Sequence, residues 1–255
     1  MRGNIYELVR VVIAEIAVPE PVVEIGSYLV PNEMYPADLR PLLPGKEFLG
    51  CDAREGPGVD RVEDVHRLSF ADESVGTVFM LETFEHVRDP LRAAAEVRRI
   101  VRPGGLIVFS SCMDTPVHEH PADYWRFPPQ GFDLLLEGFD PRRVYVQGRP
   151  DYPHSLVGIG FKGESAAAQG ALDRIDPLIR GIPGTLTHEI SPRLAPDPFR
   201  PIGEELRPEE VGRYPERMLH VAFDRILHRD EKIRALRAEL ARLDPTNPLL
   251  HDDER

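Results

Sequence analysis

The sequence predicts an α/β fold, a seven-stranded mostly parallel sheet covered by helices, with an antiparallel last strand. Two observations predict it. From Pro21 to Phe161 short β-rich runs alternate with helical runs or loops, the pattern of parallel strands joined by crossovers. Only Gly148 to His154 separates the last two runs, a connection too short for a crossover, so this pair is antiparallel. A chain of 255 residues is long enough for one large domain with an appendage.

The expected strands lie near Val22–Ile25, Phe48–Asp52, Arg61–Glu63, Val75–Met80, Leu106–Ser111, Val144–Gln147 and Leu156–Phe161. Between the first two, Pro31, Pro36, Pro41 and Pro44 leave little room for a regular helix. A helix is well marked after Asp89, a suitable N-cap followed by Pro90, with Leu91, Ala94, Ala95, Val97, Ile100 and Val101 as its apolar stripe. Pro103-Gly104-Gly105 stops it. A second helix covers Pro129 to Glu137, with Phe132, Leu135 and Leu136 inward, and ends at Gly138.

This organisation divides the chain into a domain over 1–165, a proline-rich wrapping or linking segment over 166–213, a long helix over 214–245 and a frayed tail over 246–255. Seven prolines between Pro177 and Pro208 mark the second part, where no helical or strand period persists. In the third, Leu219, Ile226, Ile233 and Leu240 recur seven apart, with Ala222, Leu236 and Leu243 at the alternate position. That spacing suits a coiled coil and a homodimer, or an apolar face docked on the domain itself.

Charge and cysteine usage narrow the partners. A net charge of −12 disfavours a nucleic acid bound over a broad basic face. No run of about 18 apolar residues occurs, so no membrane span is expected. Cys51 and Cys112 lie in apolar strand runs, as reduced thiols do, which suits a cytoplasmic location.

Several residues carry chemistry at the strand ends. VVEIGS at 22–27 brings Glu24, Gly26 and Ser27 to the carboxyl edge, where open parallel sheets bind ligands and a glycine allows close backbone approach. The second strand delivers Asp52 to the same edge, where a carboxylate accepts hydrogen bonds from ribose hydroxyls, a role that its occurrence together with Gly26 favours; the alternative is that it caps the turn around Gly56, Pro57 and Gly58. Asp64 and the Val65 backbone N–H offer an acceptor and a donor for an adenine edge. LETFEHV then places Glu82, Thr83, Glu85 and His86 at the mouth.

Taken in order, VVEIGS, GCDA, VEDVHRLSF, VFMLETFEHV and RRIVRPGGLIVFSS resemble the signature segments of class I S-adenosylmethionine-dependent methyltransferases, especially the branch labelled type 11. The resemblance covers residues 20 to about 161. It implies a Rossmann-like sheet and S-adenosyl-L-methionine as cofactor, with Glu24 and Gly26 beside the methionine end, Asp52 on the ribose, and Asp64 with Val65 on the adenine. One departure stands out: a single glycine, Gly26, precedes Ser27, Tyr28, Leu29 and Val30, where such enzymes carry two or three. Asp38-Leu39-Arg40, Gly56–Asp60 and VHEHPADYWRFPPQGF at 117–132 are similar to a subgroup with this shortened loop and an HPxDYWRF-type segment beside the methyl donor.

That resemblance implies methyl transfer, and O-methylation of a small molecule or glycan is the expected reaction. A hydroxyl acceptor needs a base, and His120 is the first candidate, followed by His118 and His86. Asp123, Tyr124, Trp125 and Arg126 are candidates to orient the acceptor, or to seal the sheet edge with Arg126 paired to Asp123 or Glu85. His118 and His120 flank Glu119 without a third ligand at a telling spacing, so no metal is expected. A second reading is a non-catalytic module of the same fold that assembles through its carboxyl-terminal helix. Nicotinamide chemistry is disfavoured, because no G-x-G-x-x-G follows the first strand.

Overall fold

The computed structural model describes residues 3–30, 37–118, 121–149 and 152–188. The first compact unit of the chain runs Met1–Ser191. The heptad stretch 214–245, the tail, the prolines from Pro192 onward, and Glu119 and His120 lie outside the described residues.

In chain order the elements are α1 (Gly3–Glu15), β1 (Val22–Ile25), β2 (Phe48–Asp52), β3 (Arg61–Val62), β4 (Val75–Met80), α2 (Pro90–Ile100) and β5 (Val101–Cys112). Then follow α3 (Pro129–Leu134), β6 (Arg142–Arg149), β7 (Tyr152–Phe161), α4 (Ala166–Arg180) and β8 (Thr185–His188). The strands form one sheet in the order β3-β2-β1-β4-β5-β7-β6-β8. β1 pairs in parallel with β2 and β4, and β3 and β5 extend the parallel part on either side. β7 runs antiparallel to both β5 and β6, as the short connection requires. β8 adds an eighth, antiparallel strand beside β6.

Side chains alternate across the sheet and feed two cores. Val23, Ile25, Val78 and Met80 pack with Ala93, Ala94, Val97 and Ile100 of α2 and Phe132 of α3. Val22, Phe79 and Val108 face the other way, onto Ile5, Leu8, Val9 and Val12 of α1 and Leu172, Ile175 and Ile179 of α4. Both faces of the sheet are covered, which is why β1 and β4 are buried along their whole length, Glu24 and Thr77 included.

α2 starts where its cap predicts: the Asp89 carboxylate accepts from the Arg92 N–H at 3.1 Å. Arg99 fastens this helix to the preceding loop by donating to the carbonyls of Leu68 and Phe70 and to the carboxylates of Asp72 and Glu96. β5 begins directly at Val101, and the pairing shifts from Val75↔Val101 to Thr77↔Leu106, so Arg102–Gly105 form an irregularity within the strand.

Two helices depart from the sequence pattern. α4 occupies residues 166–180, where the proline-marked stretch predicts no regular element. Ser165 caps it by accepting from the Ala168 N–H, and Ala168, Ala171, Leu172, Ile175 and Ile179 form a buried stripe that outweighs the break expected at Pro177. α1 is the other; its stripe, Ile5, Leu8, Val9 and Val12, has helical spacing and is fully buried.

Candidate active site

The carboxyl ends of β1, β2 and β4 form the rim on which the sequence places its functional residues. At the end of β1 the chain turns at Gly26 with φ +87°, and the N–H groups of Gly26 and Ser27 both donate to the Cys51 carbonyl. A β-carbon at Gly26 would stand 2.2 Å from Oγ1 of Thr83. That hydroxyl donates to the Leu81 carbonyl at 2.9 Å and reaches the Ile25 carbonyl at 3.3 Å, joining the ends of β1 and β4. The Ser27 hydroxyl is buried and has no hydrogen-bond partner among the described residues.

The next loop supplies what the first loop lacks. Leu29 N–H donates to the Pro57 carbonyl, and Gly58, at φ +85°, comes so close that an added β-carbon would lie 2.4 Å from the Ser27 carbonyl oxygen. The 26–30 and 54–58 loops therefore run against each other. Asp38-Leu39-Arg40 locks the arrangement: Arg40 Nη2 donates to the Gly58 carbonyl at 2.9 Å and to Asp60 Oδ2 at 2.6 Å, and Asp60 accepts from the Gly50 N–H at 2.7 Å. The two segments singled out together in the sequence are thus bonded to each other.

Glu24 lies beneath this rim, 6% exposed. Loss of hydration pushes its carboxyl up to about 8, with Arg40 pulling the other way and Asp38 adding to the rise.

Asp52 is mostly buried at the end of β2. Its Oδ1 accepts from the Arg54 N–H at 3.0 Å and from Arg54 Nε at 3.3 Å, while the Arg54 guanidinium stacks on Tyr28 at 4.4 Å. Asp64 follows β3, the strand hydrogen-bonded to β2, but its exposed carboxylate turns to His66, accepting from the backbone N–H at 2.9 Å and facing Nδ1 at 2.7 Å. These two bonds hold the Asp64 carboxyl below its usual range. Val65 beside it is partly buried against the α2 side of the core. Asp64 borders a groove of about 900 Å³ that also includes Trp125, Phe127, Pro128, Leu134 and Leu135; Asp52 is not among its lining residues.

Beyond β4 and β5, the 82–88 loop is stitched to residues 113–118 and 121–127. Glu82, at φ +46°, donates its N–H to the Ser110 carbonyl and hydroxyl oxygens. The Glu85 carbonyl accepts from the N–H groups of Tyr124 and Trp125, and Trp125 Nε1 donates to the Val87 carbonyl at 2.9 Å. Asp123 and Arg126 form a two-pronged ion pair. Asp123 also accepts from the His118 N–H at 2.8 Å, and these bonds hold its carboxyl well below the usual carboxylate range. Arg126 further donates to the carbonyls of Thr115 and Pro116. Tyr124 and Trp125 remain about half exposed.

His86 and His118 meet edge to face, with ring centres 4.9 Å apart. His86 Nδ1 lies 2.5 Å from the Ala122 carbonyl oxygen, and His118 Nδ1 lies 3.1 Å from that of Pro116. Beside them Glu85 is 1% exposed and takes a 2.7 Å hydrogen bond from the Ser111 hydroxyl. Burial pushes its carboxyl up to about 7. Sequence reasoning placed Thr83 at the mouth without a task and offered Glu85 as one of two partners for Arg126, which pairs with Asp123 instead; the pairing of Glu85 with Ser111 and its nearness to His118 depend on contacts between distant segments.

Comparison with known proteins follows the same outline. Residues 44–109 match a family model described as a methyltransferase domain. The 2-methyl-6-phytyl-1,4-hydroquinone methyltransferase of Synechocystis sp. is 33% identical over 87 residues, 34% of this chain. The match spans 27% of the length of that curated relative. An S-adenosylmethionine-dependent methyltransferase structure from Archaeoglobus fulgidus is 15% identical with a TM-score of 0.46, covering 63% of this chain and 95% of that one. Another from Mesorhizobium loti is 13% identical with a TM-score of 0.43, covering 62% and 98%.

Proposed function

We propose that the chain is a class I, S-adenosylmethionine-dependent methyltransferase that methylates a hydroxyl of a small molecule or glycan, a reading supported by the match of residues 44–109 to a methyltransferase domain. The observation that carries this reading is the single rim on which Gly26, the buried hydroxyl of Ser27, Asp52 and the loop bearing Glu82 and His86 stand at the ends of adjacent strands.

The residues present suit the cofactor. Both hydrogen bonds to the Asp52 carboxylate fall on Oδ1, so Oδ2 is the oxygen that would receive ribose hydroxyls. Glu24, Gly26, Ser27 and Glu82 would surround the methionine end, where an unpartnered buried hydroxyl is best satisfied by a polar ligand. Asp64 and the Val65 N–H would take the adenine edge, the carboxylate exchanging its contact with His66 for the exocyclic amine.

When bound, S-adenosylmethionine supplies an electrophilic methyl group on a sulfonium that leaves readily. The chain's own contribution is then to align the acceptor and exclude water, and alignment is worth roughly 7 to 11 kcal/mol in well-oriented reactions. Half-exposed Tyr124 and Trp125 offer flat apolar faces with polar tips, which suits a sugar or aromatic acceptor. The Asp123–Arg126 pair sets the loop that presents them. Removal of the hydroxyl proton falls to His120 first, with His118 and His86 behind it, and is worth on the order of a hundredfold or more.

The test is cofactor affinity measured by calorimetry. Asp52→Ala should weaken S-adenosylmethionine binding by about 1.5 to 3 kcal/mol, the scale of a hydrogen bond to a charged group. Equal affinity in a folded variant would remove Asp52 from the site, and no binding by the wild-type chain at millimolar cofactor would overturn the enzyme reading.

A further inference from the structure

We propose that Glu85, His86 and His118 bind a divalent transition-metal ion of the zinc, cobalt or iron(II) class. One donor atom from each of these side chains lies within 4.8 Å of the other two. The three come from two loops, the turn Phe84–His86 after β4 and the segment after β5, which the Glu85 carbonyl clamps together through Tyr124 and Trp125. His118 is thus joined by two ligands from a different loop, which its own local spacing does not show.

The hydrogen bonds around the imidazoles are those that orient metal ligands. His86 points Nδ1 at the Ala122 carbonyl, and His118 points Nδ1 at the Pro116 carbonyl, with Asp123 Oδ2 3.4 Å away. Each acceptor favours a ring proton on Nδ1, and a carbonyl or carboxylate behind a histidine is the usual outer support of a metal ligand. Glu85 is held in the same way by the Ser111 hydroxyl. Its carboxyl group is 1% exposed, so a bound cation would replace the hydration it has lost.

The donor set chooses the ion. Two imidazole nitrogens and one carboxylate suit zinc and its neighbours, whereas magnesium and calcium favour oxygen throughout. Bonds of about 2.1 Å in a tetrahedral site set donors about 3.4 Å apart, so side-chain rotations of about 1 Å would close the cluster. Three protein ligands leave a position for water or an acceptor oxygen, whose proton such an ion makes easier to lose.

The full chain, stripped with chelator, should be titrated with Zn2+ by calorimetry and with Co2+ by visible absorption, without methyl donor. One equivalent should bind, with the ligand-field bands of a low-symmetry cobalt site. His118→Ala and the near-isosteric Glu85→Gln should each weaken binding about tenfold or more, while His154→Ala on β7 leaves it unchanged. Circular dichroism and metal-free thermal unfolding establish that each variant is folded. No stoichiometric binding by the folded wild type, wild-type affinity in both His118→Ala and Glu85→Gln, or an equal loss in His154→Ala would overturn the proposal. Since metal binding is read without cofactor, its failure leaves the methyl-transfer reading standing, and failed cofactor binding leaves the metal site standing.

Discussion

At Gly26 two constraints coincide, a left-handed backbone and the Thr83 side chain within bonding range of any added carbon. Gly26→Ala should destabilise the protein by about 1 to 3 kcal/mol, read by urea unfolding. Adding Thr83→Ala should recover only part of the loss, because it removes the contact and leaves φ unchanged; full recovery would mean that the backbone carries no strain. This glycine was legible in the sequence because a glycine directly after a buried strand has a local meaning. The need for glycine at 58 was not, since it arises from the Ser27 carbonyl of another loop. The site residues divide the same way. Asp52 and Asp64 could be placed at strand ends from spacing alone, but the turn of Asp64 toward His66 and the meeting of His86 with His118 depend on how loops fold over the rim.

Helix α2 shows how far local signals reach at the scale of elements. Asp89→Ala removes a cap bond to the Arg92 N–H and should cost about 1 kcal/mol in thermal or urea unfolding. Asp89→Asn should restore most of it; equal losses for both would mean that the negative charge at the helix start matters more than the cap. Strands β1, β2 and β4 were legible to the residue, because each is a short, mostly apolar run, with β1 closed by Gly26 and β2 by Asp52. α4 was hidden by its own prolines: Pro177 lies in its last turns and Pro183 shortly beyond, and only the burial of Leu172, Ile175 and Ile179 against the sheet makes helix the better choice. β8 was hidden with it, being a short edge strand whose partner, β6, is supplied by the fold.

For the whole molecule, the acid buried beneath the rim makes stability depend on pH. Glu24 keeps its proton up to about pH 8 in the folded chain and gives it up near its ordinary 4.5 when unfolded. Between those values the folded state binds more protons, so this group's contribution is complete below about pH 4.5 and is lost as pH rises through about 8. The carboxyls held low, Asp60, Asp64 and Asp123 among them, act in the opposite sense and only below their ordinary range near 3.8. The melting temperature should therefore fall between pH 5 and 8.5, and Glu24→Gln should flatten its share of that fall, leaving the part that Glu85, pushed up to about 7, contributes. An unchanged slope in the variant would show that Glu24 is ionised in the folded protein.

The strand order also bears on how the chain can be made. β7 fills the slot between β5 and β6, so a strand synthesised late separates two synthesised earlier. Until Phe161 has emerged from the ribosome, the edge of β5, with the wholly buried Leu106–Phe109, has no lasting neighbour, and β6 has no strand to join it to the sheet. A nascent chain paused before that point offers an open apolar edge to other chains, and chaperone capture should be strongest there.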